Sequence, residues 1–134
     1  MNALMNYLKK EGVFEKEEYG HPIFKVGDRE YMVLKEHERY EKAKEYIRET
    51  LWAFCPSFLA KKTGLPEEVF SALSEKYEAG NDATLALVEI TCGLDTFVKS
   101  AIEADGYGHF LASYDGKEGK VTVEGEDYFI YRIN

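Results

Sequence analysis

The residues best suited to chemistry lie together in one short segment, Asp105–Asp115. The segment contains two carboxylates, an imidazole and a hydroxyl, which belong to Asp105, Asp115, His109 and Ser113. Asp115 could orient His109, and His109 could then activate Ser113 as a nucleophile. A hydrolase nucleophile normally lies on a strained turn such as G-x-S-x-G, beside separate oxyanion donors, and neither pattern occurs here. A small hydrolase centred on His109 is therefore an alternative and not the leading interpretation.

The same side chains include atom types that bind metal ions. Asp105, His109 and Asp115 could supply ligands, but their spacing fits neither H-E-x-x-H nor an EF-hand. Cys55 and Cys92 lie among apolar neighbours and form no C-x-x-C motif, which is typical of thiols in a core. We therefore expect no metal ion and no cofactor.

A binding surface is the more promising interpretation of the Asp105–Asp115 segment. Tyrosine is favoured at interfaces because it buries a large area and loses little side-chain freedom. Tyr107 and Tyr114 are accordingly predicted to be aromatic anchors, with Asp105 and Asp115 as polar contacts. The predicted partner-binding residues are Asp105, Tyr107, His109, Ser113, Tyr114 and Asp115.

The overall charge limits the class of partner. The 134 residues contain 25 Asp and Glu against 17 Lys and Arg, which gives a formal net charge of −8. Proteins that bind nucleic acid gain affinity from Lys and Arg that neutralise phosphates, and an acidic surface repels such a polyanion. The charge therefore disfavours nucleic acid and suits a partner protein with a basic surface.

One stretch, Leu59–Leu73, is similar to the helix-turn-helix pattern of repressors. Ala60 lies where the two helices would cross, and Gly64 lies in the turn. The second helix would carry one lysine, Lys76, among several carboxylates, which belong to Glu67, Glu68, Glu75 and Glu78. These charges are wrong for a helix that must enter a DNA groove. A transcriptional regulator is therefore a second alternative.

The order of the predicted elements indicates one α+β domain that spans residues 1–134. Pro22–Leu34 and Val121–Ile133 each have β-branched and aromatic residues on both sides of a glycine-containing turn, which predicts a hairpin. A single hairpin is marginally stable, so we expect both hairpins to join in one small antiparallel sheet packed by the helical middle.

Between the hairpins, apolar residues recur at three- and four-residue steps, which is typical of helices. A helix of about 18 residues is predicted from Glu36, with Pro56 ending it. The helix after Pro66 is predicted to bury Val69, Phe70, Leu73 and Tyr77. A further short helix is predicted at Met1–Lys10. No apolar run approaches the roughly 18 to 20 residues that span a bilayer, and the first residues lack a signal-peptide pattern, so we expect a cytoplasmic protein without a membrane partner.

Three stretches of the chain occur in a characteristic order. They are GDREYMVLKEHE at 27–38, SFLAKKTGLPEEVFSAL at 57–73, and ADGYGHFLASYDG at 104–116 with DYFIYRIN at 127–134. Together they resemble a family of small uncharacterised proteins encoded by bacteriophages and prophages. Where that family tends to carry Arg between two glycines, this chain has Tyr107, so a guanidinium role does not transfer.

The resemblance implies expression inside a host cell during infection and supplies no established activity or catalytic residue. Small acidic phage proteins often bind a host protein, including defence nucleases with basic grooves. The leading hypothesis is therefore a non-enzymatic protein that binds a host macromolecule, with anti-CRISPR or antirestriction inhibition as one form of this function.

Overall fold

The computed structural model describes residues 14–18, 21–26 and 28–134. Its five strands are β1 (Phe14–Glu18), β2 (His21–Val26), β3 (Arg29–Lys35), β4 (Glu118–Val123) and β5 (Glu126–Arg132). Its helices are α1 (Glu36–Glu49), α2 (Pro56–Thr63), α3 (Glu67–Ser74), α4 (Asn81–Thr91), α5 (Leu94–Asp105) and α6 (Tyr107–Leu111). Two 3₁₀ turns lie at Leu51–Ala53 and Tyr77–Gly80. The α+β prediction is confirmed, with helices in the middle and strands towards both ends. The predicted helix at Met1–Lys10 lies outside the described residues.

The strands form one antiparallel sheet in the order β1-β2-β3-β5-β4. The two predicted hairpins therefore join, because β3 pairs with β5 from Tyr31 opposite Arg132 to Lys35 opposite Tyr128. The turn between β4 and β5 has two residues with positive φ, Glu124 at 52° and Gly125 at 80°. This is the conformation of a two-residue type I′ turn, which matches the twist of the strands that it joins.

The central strands bury side chains on both faces of the sheet. Met32, Val33 and Leu34 are consecutive in β3 and all three are buried. Successive residues of a strand point to opposite faces, so a continuous apolar run marks a strand that is covered on both sides. The edge strand β1 was not predicted from the sequence, because its run FEKEE is mostly charged; charges are common on edge strands, where they discourage pairing with another chain.

The chain divides into two compact units. One contains the sheet, with the described residues up to Ala43 and Asp105–Asn134, and the other contains residues 44–104. The single domain spanning residues 1–134 stays a prediction.

The predicted helix from Glu36 ends earlier than the apolar spacing indicated. Regular α-helix ends at Glu49, Thr50 has φ −121°, and a 3₁₀ turn follows. The side chain of Asn81 lies at this break, where Oδ1 accepts from the backbone N–H of Trp52 at 3.1 Å and Nδ2 donates to the carbonyl of Arg48 at 2.9 Å. An uninterrupted helix would join that N–H and that carbonyl directly.

The predicted buried stripe of the helix after Pro66 is only partly right. Phe70 is buried, but Val69 and Tyr77 are exposed. Helix α3 ends at Ser74, and Tyr77 has a positive φ of 52°, so it no longer follows the helical period. A side chain at Gly80 would lie 2.2 Å from the carbonyl oxygen of Leu73, so the chain can turn back this closely over the end of α3 only with glycine there.

Candidate functional site

The Asp105–Asp115 segment is held by a buried apolar stretch at its centre. Gly106, with φ 82°, separates α5 from α6, and Phe110, Leu111 and Ala112 are buried. The imidazole of His109 is exposed and its ring meets that of Phe110 edge to face, with centroids 4.9 Å apart. Asp105 is exposed at the end of α5. The segment therefore presents polar side chains around an apolar anchor.

Tyr107 lies against a cation of its own chain. The guanidinium carbon of Arg39 is 4.2 Å from the centroid of the Tyr107 ring and 3.7 Å from that of Phe129. Arg39 Nη1 also donates to Glu118 Oε1 at 2.6 Å. The Tyr107 ring is half-buried, and burial raises the pKa of its hydroxyl. Its role as an anchor stays a prediction, and the guanidinium of Arg39 already covers one face of the ring.

Tyr131 lies in the sheet beside this cation and is fully buried. Neither its hydroxyl nor Arg39 Nε has a hydrogen-bond partner among the described residues. Burial, and then the negative charge of Glu118, raise the pKa of Tyr131, while the charge of Arg39 opposes the increase. The hydroxyl therefore stays protonated at any physiological pH.

The end of the segment is attached to the last strand. The N–H of Tyr114 donates to the carbonyl of Arg132 at 3.2 Å, and the guanidinium carbon of Arg132 lies 3.6 Å from the centroid of the Tyr114 ring. The ring is still 60% exposed. Tyr114 is thus accessible and held in place, as an interface residue should be.

The hydrogen bonds of the Asp105–Asp115 segment support neither the hydrolase interpretation nor the metal-site interpretation. Ser113 Oγ donates to the carbonyl of Ile133 at 3.2 Å, and Asp115 Oδ1 accepts from the N–H of Lys117 at 3.0 Å, which closes a local turn. No contact between His109 and Ser113 or Asp115 is observed. Over residues 14–18, 21–26 and 28–134, no group of three or more His, Cys, Asp and Glu side chains could hold a metal ion.

A second candidate surface lies in the unit formed by residues 44–104. We call Glu67–Glu89, from α3 to near the end of α4, the acidic segment. It contains one cation, Lys76, and six exposed carboxylates: Glu67, Glu68, Glu75, Glu78, Asp82 and Glu89. Its net charge of −5 is more than half of the total of −8. Four of these carboxylates served in the sequence analysis only as an argument against DNA binding. A count of charges along the chain would have shown that negative charge is concentrated in this segment.

Exposed apolar side chains lie within or next to these carboxylates. Tyr77 is 69% exposed, and Ile90, directly after the acidic segment, is also strongly exposed. The ring of Trp52 meets that of Tyr77 edge to face, with centroids 6.0 Å apart and an angle of 71°. Exposed aromatic groups among charges are typical of protein interfaces.

The helix-turn-helix prediction places its helices correctly. Helices α2 and α3 are joined through Gly64, whose φ of 77° ends α2. The first turn of α3, which would have to approach DNA, exposes Glu67 and Glu68. This arrangement repels phosphate and gives the regulator alternative no support.

The thiol of Cys55 has an unusual environment. It is exposed directly before α2, and its Sγ shares a 3.0 Å hydrogen bond with Ser57 Oγ. That bond, and then the backbone N–H groups of Ser57 and Phe58, lower the pKa of the thiol. The predicted role of Cys55 in a core is therefore wrong. Cys92 is partly buried.

Comparison with known proteins identifies no relative. No protein-family model, no curated protein and no solved structure matches the chain. Among the described residues, no helix is both long enough and apolar enough to cross a lipid bilayer.

Proposed function

We propose that this chain acts by binding a protein with a basic surface and does not catalyse a reaction. The observation that carries the proposal is the acidic segment, in which six exposed carboxylates accompany a single lysine. Neighbouring charges of one sign attract an opposite surface over several ångströms and speed the encounter.

Exposed carboxylates alone could serve only to keep a protein soluble. The exposed apolar side chains beside them indicate that this surface binds a partner. Charge steers a partner, but most binding energy comes from a few buried aromatic or apolar contacts. Tyr77, Val69 and Ile90 could make such contacts. The Asp105–Asp115 segment, with Tyr114 exposed, remains the other proposed contact surface.

The class of partner follows from the phage resemblance. A phage protein works in the cytoplasm of an infected cell, where host defence nucleases carry basic grooves for nucleic acid. An acidic protein can occupy such a groove by presenting carboxylates where phosphates would lie. We therefore propose an anti-defence inhibitor of the anti-CRISPR or antirestriction kind.

The test is affinity capture from a bacterial host lysate at low and high salt, with two matched triple variants. Glu75→Gln, Glu78→Gln and Glu89→Gln remove three carboxylates from the acidic segment. Glu41→Gln, Glu45→Gln and Glu49→Gln remove three exposed carboxylates from α1, where cations alternate with them. None of the six lies in the first turn of an α-helix, where the helix dipole would favour its charge; Glu78 lies in the short 3₁₀ turn Tyr77–Gly80.

We expect the wild type and the α1 variant to capture one host protein in stoichiometric amount at low salt. The variant of the acidic segment should capture much less of this host protein, and high salt should reduce the capture by all three proteins. Equal capture by both variants would reject the acidic segment as the binding surface. A gel shift with DNA, or turnover in a panel of ester, phosphate and nuclease substrates, would instead favour one of the two alternatives.

A further inference from the structure

We infer that Tyr77 is the aromatic anchor of the acidic segment and that it receives an arginine side chain of the basic partner. The inference rests on the proposed function and specifies the chemistry of the contact. It starts from three properties of Tyr77, which are its exposure, its support from Trp52 and the charges next to it in the chain.

The side chain of Tyr77 is accessible to solvent and packs against the ring of Trp52. Its side chain is 69% exposed, and the Trp52 ring contacts it edge to face. The backbone of Trp52 is in turn held by the side chain of Asn81. An exposed aromatic ring on a fixed support loses little freedom when a partner covers it, which favours binding.

The charges next to Tyr77 select a cation as its partner. Glu78 follows it directly and Glu75 lies two residues before it, so these two exposed carboxylates outnumber the one exposed cation between them, Lys76. A cation over an aromatic face is attracted by the π electrons, and carboxylates near the ring can accept hydrogen bonds from the same cation. An arginine can satisfy both requirements, since its planar group stacks on the ring while its N–H groups point outward.

The chain itself shows how closely arginine packs on such rings. The guanidinium carbons of Arg39 and Arg132 lie 4.2 Å and 3.6 Å from the ring centroids of Tyr107 and Tyr114. The corresponding lysine contact is longer, with Lys62 Nζ 5.5 Å from the centroid of Phe58. We therefore expect the partner group to be arginine in preference to lysine.

The same contacts distinguish Tyr77 from the other exposed tyrosine of the two candidate surfaces. Arg132 already lies over Tyr114, so a second cation on that ring would meet a like charge. No cation contact is observed at Tyr77 among the described residues. The basic partner is therefore expected at Tyr77.

The test measures the affinity of the full chain for labelled oligo-arginine and oligo-lysine peptides of equal length, by fluorescence anisotropy at low salt. In Tyr77→Asn the ring is removed, and asparagine tolerates the positive φ that Tyr77 adopts. Tyr77→Phe keeps the ring, and the control Tyr46→Ala removes an exposed tyrosine that belongs to neither candidate surface. Trp52 is the only tryptophan of the chain, so its emission in the wild type reports binding near Tyr77.

We expect oligo-arginine to bind more tightly than oligo-lysine and to change the emission of Trp52. Tyr77→Asn should weaken oligo-arginine binding about two- to fivefold, while Tyr77→Phe and Tyr46→Ala bind like the wild type. Unchanged affinity in Tyr77→Asn, or unchanged Trp52 emission at saturation, would overturn the inference. If Glu75→Gln, Glu78→Gln and Glu89→Gln together still weaken binding in that case, the proposed function stands without Tyr77; if they do not, both fail.

Discussion

The side chain of Asn81 accepts a hydrogen bond from the backbone N–H of Trp52, with 3.1 Å between the two atoms. Its amide nitrogen donates to the carbonyl of Arg48, the group that this N–H would bond in a continuous helix. One side chain thus replaces a helical hydrogen bond and satisfies both backbone groups. As a result, the helix can end at Glu49 while the carbonyl of Arg48 and the N–H of Trp52 both keep a hydrogen-bond partner.

Replacing Asn81 by Asp tests this role. A carboxylate can still accept from the N–H of Trp52, but it cannot donate to the carbonyl of Arg48. We expect Asn81→Asp to lower the free energy of unfolding by about 1–2 kcal/mol in urea denaturation. The exposed neighbour offers the control, because Asp82→Asn should cost no more than about 0.5 kcal/mol. Equal effects of the two changes would mean that the bond to Arg48 contributes nothing.

Arg39 is the second position where a single change should have a large effect. Arg39→Met keeps an unbranched chain between the rings of Tyr107 and Phe129 and removes the charge that pairs with Glu118. We expect a loss of about 1–3 kcal/mol from the free energy of unfolding. Arg132→Met, which removes a more exposed stack, should cost only about 0.5–1 kcal/mol. A smaller loss in Arg39→Met than in Arg132→Met would contradict the account of this cluster.

The raised pKa of Tyr131 predicts how the free energy of unfolding changes at alkaline pH. Its pKa is raised in the folded state, so the unfolded chain releases this proton first, at its ordinary value of about 10. The contribution of Tyr131 to the free energy of unfolding is therefore complete below pH about 10, and it is lost as the pH rises towards the pKa of the folded state. Tyr131→Phe removes an unpaired buried hydroxyl, so at neutral pH it should be neutral or up to about 1 kcal/mol more stable.

The pH series of Tyr131→Phe is the decisive part of that experiment. Urea denaturation of both proteins between neutral pH and pH about 11 should show a shallower alkaline loss in the variant. A strong loss of stability at neutral pH would instead show that the hydroxyl has a bound partner.

Cys55 should react as a thiolate at lower pH than an ordinary cysteine. Its pKa is lowered by the hydrogen bond with Ser57, so Ser57→Ala should move the midpoint of its alkylation by iodoacetamide to higher pH. Mass spectrometry of the two cysteine peptides follows the reaction, with the partly buried Cys92 as the slower reference. An unchanged midpoint in Ser57→Ala would show that Ser57 does not influence the thiol.

The sequence predicted those elements of the fold whose structure depends mainly on residues close together in the chain. The two hairpins follow from β-branched and aromatic runs around short turns, and Gly64, which was predicted to lie in a turn between two helices, ends α2. The break after Glu49 could not be predicted, because the side chain that stabilises it belongs to Asn81, which lies far along the chain. Tertiary hydrogen bonds of this kind override helical periodicity.

The candidate sites were predicted less well for a similar reason. Tyr107 and Tyr114 were selected by residue type, but whether a ring is free depends on Arg39 and Arg132, which are distant in sequence. Tyr77 was assigned to a buried stripe, because the helical period was extended past the end of α3. The charge of the acidic segment, in contrast, was visible in the sequence and required only that its exposure be known.

The most direct test of the central claim is carbodiimide cross-linking of the complex captured from host lysate, followed by mass spectrometry. This reagent joins a carboxylate to a lysine amine in direct contact, so it records which acidic residues meet the basic partner. We predict cross-links from Glu75, Glu78, Asp82 or Glu89 to lysines of the captured protein. Cross-links only from Asp105 or Asp115, or from carboxylates of α1, would contradict the claim that the acidic segment binds the partner.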